Sequence, residues 1–171
     1  MLRTSFATIA GAAAFALCLA APASAQTKWN LPAAYPADNP HTVNLQAFAK
    51  DVNDLTGGKL QVAVHAGASL FKAPEIKRAV MTGQAQMGEV LISVHENEDP
   101  LFGIDVIPFL ATSYPQAYKL WLASKPAIEK KLAAQGLMLL FAVPWGPQGI
   151  YAKKDLNAVE DMKGLKKHFA S

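Results

Sequence analysis

The feature that most constrains the fold is an alternation of two hydrophobic periods along the chain. Residues 28–35 form a short extended stretch ended by Pro36, and Asn39 then stands directly before Pro40. That order is a helix cap followed by proline in the first turn. Leu45, Phe48, Ala49, Val52 and Leu55 recur at helical spacing, and Gly57-Gly58 closes the helix. Leu60, Val62 and Val64 alternate with Lys59, Gln61 and Ala63, the signature of a strand. A loop over residues 66–72 leads to Pro74 and a second helix that carries Ile76, Ala79 and Val80 and stops at Gly83. Residues 87–92 are apolar apart from Gly88 and Glu89, which predicts a buried strand. After an acidic loop over 95–100, Tyr114-Pro115 and Lys125-Pro126 each predict the start of a helix, the second holding Ile128 and Leu132 and ending at Gly136. Residues 137–143 read as an apolar strand, and residues 148–153 as a further one after Trp145-Gly146-Pro147. Strands alternating with helices predict an α/β domain with a mostly parallel sheet.

The N-terminus is of a different kind. Arg3 is followed by an apolar run over residues 6–21, then Pro22-Ala23-Ser24-Ala25. A basic start, an apolar core and small residues before a cleavage point are the layout of a secretory signal peptide over residues 1–25. The apolar core is about 15 residues, short of the roughly 20 that a membrane-spanning helix needs. Cys18 lies within it, so cleavage after Ala25 leaves a mature chain without thiol chemistry or disulfides. Removing 25 of the 171 residues leaves 146, enough for one modest domain. The formal net charge of +3 falls to +2 with the loss of Arg3, and the lysines are scattered among acids. This pattern argues against a nucleic-acid partner. The expected location is the periplasm.

In open α/β sheets a ligand sits outside the carboxyl ends of the strands. That rule gathers residues 35–41, 66–72, 89–93 and 145–148 around one cleft, with the helix starts near Pro40 and Pro74 offering free N–H groups to an anion. The candidate ligand-binding residues are Tyr35, Asn39, Lys72, Glu89, Trp145 and Gln148. Glu89 reads either as a cleft residue accepting a hydrogen bond from a ligand hydroxyl or amine, or as a strand-end carboxylate paired with a lysine. Trp145 and Gln148 occupy a Pro/Gly-bracketed turn suited to holding a binding side chain, or else are a core indole and its neighbour. Asn39 serves equally as a cap, and Lys72 as a surface cation. The four histidines show no metal-ligand spacing, and His95 with Glu96, Glu98 and Asp99 reads as a solvated loop. Ser69 and Ser93 lack a nucleophile elbow, and no glycine-rich phosphate loop occurs. Neither a catalytic residue, a metal site nor a cofactor is therefore expected, and the chain does not read as an enzyme.

Several segments together carry a resemblance. They are Leu55-Thr56-Gly57-Gly58-Lys59-Leu60, Gly67-Ala68-Ser69-Leu70, Met81-Thr82-Gly83-Gln84-Ala85-Gln86-Met87-Gly88, Ile107-Pro108-Phe109, and Asp161-Met162-Lys163-Gly164-Leu165-Lys166. In this order, behind a signal peptide, the chain resembles the solute-binding proteins of tripartite ATP-independent periplasmic (TRAP) transporters, of the dicarboxylate-binding type. The resemblance implies a periplasmic-binding-protein-like (type II) fold whose two lobes close on a small organic anion and deliver it to integral-membrane transporter subunits. The receptor of an ATP-driven transporter, or a sensor domain, is the alternative. It also implies an N-terminal α/β lobe over residues 26–136 and connecting strands with the start of a second lobe over 137–171, the rest of that lobe missing. In the family an arginine follows the Gly-Leu-Lys segment and grips a carboxylate; here Lys167 and His168 follow, and the chain ends at Ser171. The expectation is a truncated copy, impaired in binding, with apolar surface left uncovered.

Overall fold

The computed structural model describes residues 26–146 and 152–165. The predicted signal peptide, Gln148 and most of the predicted strand over 148–153 lie outside these residues. β1 (Thr27–Pro32) and β2 (Leu60–His65) pair in parallel, with Thr27 opposite Leu60 and Pro32 opposite His65. The connection between them is α1 (Pro40–Leu55), so the first third of the chain is a β–α–β unit. Asn39 caps α1 as expected: its side-chain oxygen accepts from the His41 backbone N–H at 2.9 Å. At the other end Thr56 joins helix to strand, since its hydroxyl donates to the Val52 carbonyl at 2.8 Å and accepts from the Leu60 N–H at 3.1 Å. Gly57 and Gly58 follow at φ 58° and 76°, a left-handed pair that side chains bearing a Cβ rarely adopt.

Leu31, Ala33 and Leu45 form the core of this unit, with Phe48, Val62, Val64 and Met87 packed against them. Leu55 was expected on the same helix face but is 88% exposed. At 3.6 residues per turn it lies about 80° around the axis from Leu45, so a seven-residue apolar stripe has drifted off the sheet by the last turn.

The strand predicted over 87–92 is corrected. Residues 87–89 do run along the free edge of β1, with the Met87 N–H donating to the Asn30 carbonyl at 3.2 Å and the Glu89 N–H to the Pro32 carbonyl at 3.1 Å. The return bonds are missing. The Asn30 N–H donates instead to the Gln86 side chain at 2.9 Å, and Pro32 has no N–H to give. Half a ladder is not a regular strand, and the sheet is two-stranded among the described residues. Beneath this segment lies α2 (Ala73–Met81), which packs closely because Gly88 has no side chain: a Cβ there would come within 2.6 Å of Ile76 Cγ2.

α3 (Tyr114–Ala134) is one helix where the sequence predicts two. Pro126 sits inside it and leaves the Leu122 carbonyl without its helical N–H. Both residues face outward, where water can replace that donor, while Ser124, Ile128 and Leu132 hold the helix on its buried side. Ile128 and Leu132 join Phe102 in a second core, flanked by Ile92, Leu101, Trp121, Leu137 and Leu139. The predicted strand over 137–143 is also corrected: it is an extended segment with no ladder partner among the described residues. It links the two cores. Leu137 and Leu139 lie on the second core, and the Phe141 ring stands 5.4 Å from Phe48 of the first. Its other face is open, with Met138 80% exposed.

The acidic loop is not simply solvated. Residues 92–95 and 100–106 form two 3-10 turns, and His95, the last residue of the first, is only 6% exposed. Glu98 accepts from Lys77, from His95 Nδ1 at 2.9 Å and from Gln135 at 3.3 Å, which ties α2, this loop and the end of α3 together. Lys77 is 5% exposed and lies 5.3 Å above the Phe102 ring. Lys131 pairs with Asp99 alongside.

Candidate functional site

The loops at the carboxyl ends of β1 and β2 are tied to each other. The Tyr35 carbonyl accepts from the Gly67 N–H at 2.7 Å and from the Thr42 hydroxyl at 3.2 Å, and the Ala68 N–H donates to the Ala33 carbonyl at 3.0 Å. Tyr35 is thereby fixed by its backbone, and its ring packs against two others. Trp145, arriving from the extended segment after α3, meets that ring edge-on at 5.0 Å and 73°. His41, in the first turn of α1, lies 4.1 Å from the indole and 6.2 Å from the phenol. Three rings thus make an aromatic corner at the end of the β–α–β unit.

Glu89 comes from the segment that runs along β1, where its N–H donates to the Pro32 carbonyl at 3.1 Å. Its Oε2 is buried and has no hydrogen-bond partner among the described residues. Burial pushes the Glu89 carboxyl above the ordinary carboxylate range. The Tyr35 phenol is raised by burial and then by the negative charge of Glu89, which places the two groups within electrostatic reach. Burial alone lowers His41, so its neutral imidazole is favoured. The corner therefore offers flat apolar walls, one phenolic hydroxyl, one imidazole and one unsatisfied carboxylate oxygen.

Of the six residues singled out by sequence, Tyr35 and Trp145 are in ring contact, and Glu89 is near enough for its charge to act on the Tyr35 phenol. Asn39 spends its side-chain oxygen on the cap and acts on the corner through the backbone of His41. Lys72 is exposed at the head of α2, where its N–H donates to the Glu75 carboxylate at 3.0 Å. Gln148 lies outside the described residues. Sequence reasoning missed His41; its place two residues after the cap of a helix that starts at the crevice was the available signal. Arg78, the one arginine beyond Arg3, is exposed on α2 as its helical phase predicts. It lines an open recess with Pro74, Lys77, Met81, Val94 and Glu98, which shares no residue with the aromatic corner. No group of three or more metal-ligating side chains occurs among the described residues. No described helix is long and apolar enough to cross a membrane.

A parallel β–α–β unit with three aromatic rings gathered at its strand ends defines an α/β lobe. Residues 33–167 match the family of bacterial extracellular solute-binding proteins, family 7 (DctP), and the chain belongs to that family. It superposes on DctP6, a Bordetella pertussis extracytoplasmic solute receptor binding pyroglutamic acid, with 58% identity and a TM-score of 0.78, over 81% of this chain and 46% of that one. A marine metagenome TRAP solute-binding protein specific for pyroglutamate is 48% identical with a TM-score of 0.77, over 82% and 46% of the two chains. A solute-binding protein of Albidiferax ferrireducens is 29% identical over 70% of this chain and 36% of its own. The chain thus spans less than half the length of these relatives. The family and these neighbours are extracytoplasmic substrate-binding receptors, and the α/β lobe with its parallel sheet agrees with the fold expected from sequence.

Proposed function

We propose that this chain forms one side of the ligand cleft of a TRAP transporter's solute-binding subunit, working in the periplasm after removal of residues 1–25. It captures a small organic acid of the pyroglutamate class for delivery to the integral-membrane subunits and performs no chemistry on it. The observation that carries this reading is the corner of Tyr35, His41 and Trp145 beside Glu89, in a chain that is 58% identical to a pyroglutamate receptor. None of the relatives above is an ATP-driven receptor, so that alternative has no support.

The corner supplies rings and a carboxylate but no guanidinium, because the mature chain's one arginine, Arg78, points to solvent elsewhere. Without a charge-assisted fork for the acid group, the corner holds its ligand weakly, at about millimolar dissociation constants worth roughly 4 kcal/mol. Titration of the 171-residue chain with pyroglutamate, followed by the indole N–H signals of 15N-labelled protein, tests this. Saturable shifts of the Trp145 signal at millimolar acid are expected. A spectrum unchanged by pyroglutamate and by other small organic acids would end the proposal.

A further inference from the structure

We propose that the extended segment over residues 137–143 pairs with the same segment of a second copy of this chain, antiparallel about a two-fold axis at Leu140, so that two chains join edge to edge. The inference concerns a face that the acid-capture reading above leaves unused.

Three observations carry it. The first is the backbone. Residues 138–145 make no backbone hydrogen bond among the described residues, although the segment is extended and is held on the two cores through Leu137, Leu139 and Phe141. Anchored, extended peptide groups are a template for another strand, because only a second extended backbone satisfies them in series. Pro144 has no N–H and closes such a ladder at one end, and Gly136, at φ 76° in the turn out of α3, bounds it at the other. The second observation is charge. No Asp, Glu, Lys or Arg occurs between Gly136 and Ala152. Natural edges are commonly guarded by a lysine, a proline or an inward charge, and residues 137–143 contain none of these. A charged partner finds nothing there to pair with, whereas an identical strand meets it without repulsion. The third is self-complementarity. Met138 is 80% and Leu140 52% exposed, and Ala142, exposed as well, shares their face of the strand. With Leu140 at the axis, Met138 stands opposite Ala142 of the second copy and the two Leu140 side chains stand opposite each other. A long side chain therefore meets a small one on either side of the axis, and on the other face Leu139 meets Phe141. One patch serves both copies, the isologous contact of a closed dimer.

Seven residues make an edge only about 23 Å long. That is short beside a standard interface of about 800 Å² per partner, so a dissociation constant of about 10–100 µM is expected. Sedimentation velocity over a concentration series should follow the passage from one copy to two in that range. Leu140→Lys sets two ammonium groups against each other at the axis and should weaken association by about tenfold or more, as should Leu140→Glu with two carboxylates. An equimolar mixture of the two variants should restore the dimer, because unlike charges then meet. A thermal melt of each variant confirms the fold. The unaltered chain supplies a readout that needs no variant: the amides of residues 138–143 should exchange with deuterium several-fold more slowly at high concentration than at low. A chain that sediments as one copy throughout, or that is recovered as one copy bound to a foreign polypeptide, overturns the inference. So does a dimer that Leu140→Lys leaves intact, a mixture that associates no better than either variant, or amide exchange over 138–143 that does not depend on concentration. If neither variant folds, the exchange measurement decides.

Discussion

Replacing Glu98 by glutamine should destabilise this chain more than replacing its buried partner Lys77 by methionine. The reason is an asymmetry of burial: Lys77 is 5% exposed, whereas the Glu98 side chain keeps 38% of its surface in contact with solvent. Removing the carboxylate's charge strands an ammonium above the Phe102 ring, and leaves one acceptor oxygen where Lys77 and His95 Nδ1 each had their own. Breaking a fully buried pair from one side costs about 3–5 kcal/mol. Solvent around Glu98 screens part of this, and about 2 kcal/mol remains. In Lys77→Met the charge goes but the stem stays packed on Phe102, and Glu98 turns to water while keeping His95; the change should be within about 1 kcal/mol. At about 2–4 °C per kcal/mol for a chain of this size, Glu98→Gln should lower the melting temperature by about 4–8 °C. The double variant should recover most of that loss. The acid limb of stability supplies a second readout. The Lys77 hydrogen bond, above all, holds the Glu98 carboxyl below its ordinary range, with the charges of Lys77 and His95 adding to it. A depressed folded value means stabilisation that is present above the ordinary carboxylate range and lost as pH falls through the folded value. Melting curves from neutral to acid pH should therefore flatten in Glu98→Gln. A Lys77→Met variant that melts below Glu98→Gln would refute the reasoning.

Two further substitutions probe how the corner is held. Asn39→Ala removes the α1 cap and should cost about 1 kcal/mol, with a change in Trp145 fluorescence because His41 leaves its capped backbone; a destabilised chain with an unaltered indole environment would separate the cap from the corner. Gly88→Ala drives a methyl to within 2.6 Å of Ile76 Cγ2 and should cost about 1–3 kcal/mol by overpacking, measured by denaturant unfolding; a neutral result would mean that α2 is free to shift away from the segment bearing Glu89.

The β–α–β unit was legible because its signals are local. A cap residue before proline, a paired glycine stop and a period-two strand each depend on neighbours within a few positions. The site was half legible. Asking which residues stand at strand ends singled out Tyr35 and Trp145, whose rings do meet, whereas Asn39 caps α1 and His41 was passed over as one histidine among four. Neither distinction exists in the linear pattern, since an asparagine that caps and one that binds occupy the same position.

The chain order alone determined the α/β class and the cap of α1, because caps and helix and strand periods express the geometry of a single element. The tertiary structure decided the rest. Pro126 passes through α3 because Ile128 and Leu132 on its inner side outweigh one lost hydrogen bond. Residues 87–89 fall short of a strand because the neighbouring edge of β1 presents a proline. His95 is buried in an acidic loop because Lys77, from another helix, brings the compensating charge. Each outcome turns on a partner distant in sequence, and burial sets how strongly that partner's charge or hydrogen bond acts.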